Sequence, residues 1–133
     1  MKYGIYYAYW EKEWNGDYKY YIDKISKLGF DILEISCGAF SDYYTKDQEL
    51  IDIGKYAKEK GVTLTAGYGP HFNESLSSSE PNTQKQAISF WKETLRKLKL
   101  MDIHIVGGAL YGYWPVDYSK PFDKKRDLEN SIK

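Results

Sequence analysis

The sequence has one cysteine, Cys37, two histidines, no excess of either charge and no long apolar run. A lone cysteine excludes an internal disulfide framework and fits a reducing compartment. Lysine plus arginine and aspartate plus glutamate stand at 19 each, so the net charge is zero. That balance provides no basic footprint for nucleic acid or an anionic membrane. No stretch approaches the roughly 20 apolar residues of a membrane helix. Residues 1–14 are aromatic and charged without a small-residue cleavage site, so no signal peptide is expected. Together these absences predict a cytoplasmic protein. His71 and His104 each lack a second histidine or a cysteine nearby, which argues against a metal site built within this chain. The glycine run Gly107-Gly108-Ala109-Leu110-Tyr111-Gly112 is not a dinucleotide fingerprint, because its spacing is wrong and Pro115 follows where a helix should open.

What the chain does have is rings. Aromatic residues make up 17%, with 14 tyrosines and 4 tryptophans. Such side chains offer a flat apolar face and a polar edge, which suits a hydroxylated ligand such as a sugar. One stretch that carries them, residues 102–118, begins as a strand and ends as a ring-rich loop. There Ile103, His104, Ile105 and Val106 read as a strand that ends at Gly107-Gly108. The loop beyond carries Tyr111, Tyr113, Trp114 and Tyr118. A bulky loop just past the carboxyl end of a strand reads either as a wall facing a ligand or as cover for a barrel mouth or a subunit interface.

Taken in order, residues 3–9 predict a first strand, and Tyr18, Tyr21, Ile22, Ile25 and Leu28 give helical spacing over 17–28, stopped by Gly29. Residues 30–36 predict a second strand, ending at Cys37-Gly38. After a loop to Tyr44, Thr45 is a plausible N-cap for a helix over 46–60 on Leu50, Ile51, Ile53, Tyr56 and Ala57. A third strand is expected over 62–67, a polar loop from His71 to Pro81, and a third helix over 82–100 on Ala87, Ile88, Trp91, Leu95, Leu98 and Met101. The tail from Asp123 has high helix propensity.

Strands starting near 3, 31, 62 and 102, with helices between, are the pattern of βα units and a parallel sheet. A doubly wound sheet would need a small, glycine-rich turn after the first strand. Here that turn is Tyr7-Ala8-Tyr9-Trp10-Glu11-Lys12-Glu13-Trp14, too bulky to cradle a phosphate. The alternative is a (β/α)8 barrel, which typically needs about 250 residues. The expectation is therefore a single partial barrel domain over 1–133: about four parallel strands with helices outside, cut within a fourth helix. Strands 1 and 4 would be open edges, which predicts self-association.

Few side chains stand out as chemical. Glu34 sits mid-strand beside Ile32, Leu33 and Ile35 and must be paired or near water, either as a catalytic carboxylate or in an inner structural layer. His104 reads as a hydrogen-bonded interior residue, Cys37 as a small buried hydrophobe, and Ser77-Ser78-Ser79 as a flexible linker.

Several separated stretches carry a family resemblance. They are Met1 to Trp10 with Glu13-Trp14, Lys27 to Glu34, Leu64 to Gly67 with Gly69-Pro70, Leu76-Ser77-Ser78, and Gly107 to Leu110 with Tyr113 to Tyr118. In order and spacing they resemble the D-psicose (D-allulose) 3-epimerase and D-tagatose 3-epimerase family, in its N-terminal half and in clostridial form. The resemblance implies a (β/α)8 TIM barrel of the xylose-isomerase-like type. It implies inversion at C3 of a free ketohexose, interconverting D-fructose and D-psicose. In that family a divalent ion, Mn²⁺ or Co²⁺, stabilises the enediolate, and two glutamates exchange the C3 proton. The metal ligands (two glutamates, an aspartate and a histidine) and the catalytic glutamates belong to the second half, beyond residue 133. Carried over residue by residue, this chain retains substrate-wall positions only: Tyr6, Trp14, Gly67, Tyr68, Ala109 and Trp114. Two alternatives stand beside this reading. One is a non-catalytic half-barrel serving in binding or assembly. The other is a different enzyme of the same superfamily, a sugar isomerase or an apurinic endonuclease, the last opposed by the neutral charge.

Overall fold

A computed structural model describes residues 1–14, 16–38, 40, 44–119 and 122–133. Its strands are β1 (Gly4–Tyr6), β2 (Ile32–Ser36), β3 (Thr63–Tyr68) and β4 (Val106–Gly108). The main helices are α1 (Tyr18–Leu28), α2 (Asp47–Glu59), α3 (Pro81–Leu100) and α4 (Lys124–Ser131). The strands form one parallel sheet in the order β1-β2-β3-β4. Most of the loop expected from Gly38 to Tyr44 lies outside the described residues.

Local chemistry accounts for most boundaries. Asp17 caps α1, its carboxylate accepting from the Lys19 and Tyr20 amides, and Gly29 closes the helix in the left-handed region. Asp123 caps α4 in the same way, and Pro81 opens α3 at the position where a missing N–H costs nothing. Other boundaries differ from expectation. The first strand ends at Tyr6, because Tyr7–Tyr9 turn into a 3-10 helix. The turn carries the Tyr7 ring inward, where its hydroxyl donates to the Trp14 carbonyl at 2.7 Å. Thr45 does not cap α2. That position falls to Lys46, without a side-chain bond, and Asp47 and Glu49 supply the negative first turn. The fourth strand begins three residues later than the β-branched run. Asp102 takes a positive φ of 60° and the Ile103 amide folds back onto the Leu98 carbonyl, so the bonding to β3 starts only at the Ile105 carbonyl, which accepts from the Ala66 amide at 3.0 Å, and the strand at Val106. His104 is accordingly exposed and bonded to Asp102 at 2.9 Å rather than interior. Leu28, Ile88 and Leu95, placed on apolar helix faces by spacing, are exposed as well.

The described residues gather into two compact units. The first, residues 1–67 and 94–106, holds β1, β2 and most of β3 with α1 and α2. Helix α1 packs on β2 and against α2. Leu33, Ile35, Cys37, Leu64 and Ala66 from the sheet, with Ile22, Ile25, Leu50, Ile53 and Ala57 from the helices, are buried. The second unit, residues 68–93 and 107–133, holds the first part of α3, the ring-rich loop and α4. In it Asn130 of α4 donates to the Ser77 and Ser78 carbonyls at 3.2 and 3.4 Å, tying the serine run down. No helix among the described residues is long and apolar enough to cross a membrane.

Candidate functional site

Side chains alternate across a strand, and partners in register on neighbouring strands share a face. In β2 and β3 the residues Leu33, Ile35, Leu64 and Ala66 take the face covered by helices. Tyr6, Glu34 and Thr65 are paired across the sheet on the opposite face, and Ser36 pairs with Gly67 one step nearer the carboxyl ends. That face is polar throughout this stretch. The sequence reading singled out Tyr6, Glu34 and Gly67 but passed over Ser36 and Thr65. The period-two alternation in Ile32–Ser36 and Thr63–Gly67 was the signal that could have found them.

In the first unit these residues form one group. The Tyr6 ring lies 6.2 Å from Trp14 and edge-on to Tyr7 at 5.1 Å. Trp14 itself is exposed. Burial pushes the Tyr6 phenol above its usual range; the Ser36 hydroxyl opposes the rise and the Glu34 carboxylate adds to it. Gly67 leaves room for its neighbour, since a Cβ there would stand 2.7 Å from Oε1 of Glu34 and push that carboxylate aside. Beneath the group, Cys37 is fully buried and its thiol is pushed up to about 12, chiefly by burial.

The remaining wall residues belong to the second unit. Tyr68 turns its ring to α3, stacking on Phe90 at 5.4 Å and meeting Trp91 edge-on at 6.1 Å. Its hydroxyl donates to Glu74 Oε2 at 2.8 Å. Tyr68 therefore offers its neighbours its backbone, and its carbonyl accepts from the Ala109 amide at 3.2 Å. The Trp114 amide donates to the Pro70 carbonyl at 2.7 Å, and its Cβ lies so close over Gly69 that an added methyl there would stand at 2.9 Å. The Trp114–Pro115 bond is cis and the indole is exposed. Phe72 and Tyr113 meet edge-on at 5.2 Å beside them.

Among the described residues, no three of histidine, cysteine, aspartate and glutamate come together as a metal site. The donors present do not fit the divalent ion that the resemblance implies. His104 is spent on Asp102, and at the 3-10 turn Phe72–Glu74 the Glu74 carboxylate is taken by the His71 amide, which donates to it at 2.8 Å.

Four parallel strands with outer helices, rings following the strand ends and a polar inner row of side chains define half of a (β/α)8 barrel. Comparison with known proteins shows what it is similar to. The D-psicose 3-epimerase of Enterocloster bolteae is 56% identical over 133 residues, all of this chain and 44% of that enzyme. The crystal structure of D-psicose 3-epimerase from Clostridium cellulolyticum H10 with D-tagatose superposes with a TM-score of 0.94 at 50% identity, over 99% of this chain and 45% of that one. A D-psicose 3-epimerase crystallised in the presence of D-fructose gives a TM-score of 0.92 at 45% identity, again over 99% and 45%. No family model matches the sequence. The chain is similar over its whole length to the N-terminal half of these D-psicose 3-epimerases, and it spans less than half the length of the curated relatives it matches.

Proposed function

We propose that this chain is the sugar-holding half of a ketose 3-epimerase acting on free ketohexoses such as D-fructose and D-psicose. The observation that carries the reading is the identity of 56% over the whole chain. The relatives crystallised with D-tagatose and D-fructose support the substrate class. In this reading Tyr6 and Trp14 of the first unit present their rings to the sugar, and the second unit contributes Ala109 and Trp114. The Tyr68 side chain is committed to α3 and Glu74. In this reading the acid–base pair and the Mn²⁺ or Co²⁺ ion belong outside this chain, whose described residues bring no three metal-ligating side chains together.

The test is a chimera in which this chain replaces the N-terminal half of the Enterocloster bolteae enzyme. Supplied with Mn²⁺ or Co²⁺ it should convert D-fructose to D-psicose, whereas the 133-residue chain alone should not. Trp14→Ala and Trp114→Ala in the chimera should raise KM by removing positioning surface. A chimera that folds without turnover, or that cannot fold, refutes the reading.

The sheet order supports one addition. Strands β1 and β4 lie at its two edges, and open edges pair with other chains. The isolated chain should therefore sediment as a dimer or larger. A monomer at micromolar concentration would show that the edges are covered.

A further inference from the structure

The Glu34 carboxylate has no partner of its own. It lies on the polar face of the sheet, between Tyr6 of β1 and Thr65 of β3 in register. Among the described residues no hydrogen bond or ion pair engages it, and its oxygens are not closed off from solvent. A half-buried anion without a partner is costly, and such a group persists where something else satisfies it. The neighbouring strand makes room for it: at Gly67, facing Oε1 at the distance already given, any larger residue would displace the carboxylate. Beside it stand the Tyr6 and Trp14 rings, 6.2 Å apart, surfaces of the kind on which a sugar packs. A carboxylate next to aromatic faces provides an acceptor for a hydroxyl hydrogen and nothing for an anionic ligand.

We propose that Glu34 is a specificity-determining residue whose carboxylate accepts a hydrogen bond from one hydroxyl on the C4–C6 end of the ketohexose. The proposal rests on the ketose reading above and deepens it. It places the unreacting end of the sugar against Tyr6, Trp14 and Glu34, and it gives Gly67 its reason, which is to leave the carboxylate free to reach the ligand. A charge-assisted bond to a neutral hydroxyl also discriminates, because a ketose lacking that hydroxyl leaves the carboxylate unsatisfied.

The experiment uses the chimera described above, with Glu34→Gln, which keeps the shape over Gly67 and removes the charge. Both forms are assayed with D-fructose and with 4-deoxy-, 5-deoxy- and 6-deoxy-D-fructose, and their melting temperatures are recorded. The expected result is a loss of kcat/KM of about ten-fold with D-fructose, and a loss that disappears for one of the deoxy sugars. A purely structural role would lower kcat/KM equally for every sugar and depress melting. That outcome, or an unaffected variant, overturns the proposal while the parent chimera's turnover leaves the ketose reading standing. If Glu34→Gln does not fold, Glu34→Asp is read in the same way, and failure of both to fold assigns Glu34 to the scaffold and overturns the proposal. A folded parent chimera without turnover refutes the ketose reading, and the proposal with it.

Discussion

Gly107 and Gly108 are neighbours of one chemical type, yet replacement with alanine should destabilise the chain at Gly108 and not at Gly107. A Cβ on Gly108 would stand 2.1 Å from the Tyr68 carbonyl oxygen and 3.0 Å from the Tyr68 carbon and nitrogen, all backbone atoms with no rotamer to give way. The residue also holds φ at 110°, a conformation that L side chains rarely adopt. Relieving the contact requires the two strands to separate by about 1 Å, which breaks the Ala109 amide bond to Tyr68, already 3.2 Å long. One or two ladder bonds at about 1 kcal/mol each, with backbone strain of about 1–2 kcal/mol, put the cost near 3 kcal/mol. At a few degrees per kcal/mol, melting should fall by on the order of 10 °C. A Cβ on Gly107 meets nothing within 4 Å, and its φ is not positive. Gly107→Ala should therefore be neutral, or stabilising by about 0.4–1 kcal/mol through a less flexible unfolded chain. Thermal unfolding by far-UV circular dichroism reads both variants, and hydrogen exchange at the Ala109 amide reads the local bond. If Gly108→Ala melts with the parent and protects Ala109 equally, the close approach of β3 and β4 is not as described.

Two further predictions concern the first unit. Cys37, fully buried with its thiol pushed up to about 12, should resist iodoacetamide at pH 8 in the folded chain and react on denaturation; stoichiometric labelling of native protein contradicts this. The Asp47 carboxyl is held below its ordinary 3.8 by hydrogen bonds from Arg96, both at 2.7 Å. Its stabilising share is therefore complete above that value and is lost as pH falls through the lowered one. Arg96→Ala should flatten the acid limb of the stability curve below about pH 4; urea titrations with equal acid limbs for parent and variant would dismiss the pair.

The candidate site shows where reading residues in a row stops. Tyr6, Trp14, Gly67, Tyr68, Ala109 and Trp114 follow from the family resemblance, residue by residue, and not from periodicity or spacing. Which of them offers a side chain follows from none of these. The Tyr68 ring is claimed by Phe90, Trp91 and Glu74, contacts that a helix beginning 13 positions later makes possible. The partners of Glu34 were equally out of reach, because Tyr6 and Thr65 join it only through the registers of β1 with β2 and of β2 with β3.

What the sequence determined by itself is whatever depends on neighbours within a few residues. Helix α1 was legible because the Asp17 cap, the apolar spacing of Tyr18, Tyr21, Ile22 and Ile25 and the Gly29 stop all act locally. The repeat of strands and helices followed from the same kind of signal, and with it the parallel sheet. Tertiary structure decided what depends on partners distant in sequence. The run Ile103–Val106 has strand propensity along its length, but the turn at Asp102 and the bond from Ile103 back to Leu98 keep its first residues out of the ladder. The strand falls instead on Val106, Gly107 and Gly108, and at Gly108 only a residue without Cβ can lie so close to the Tyr68 carbonyl. Propensity is a weak local preference of less than about 1 kcal/mol, and a steric contact between strands some forty residues apart outweighs it.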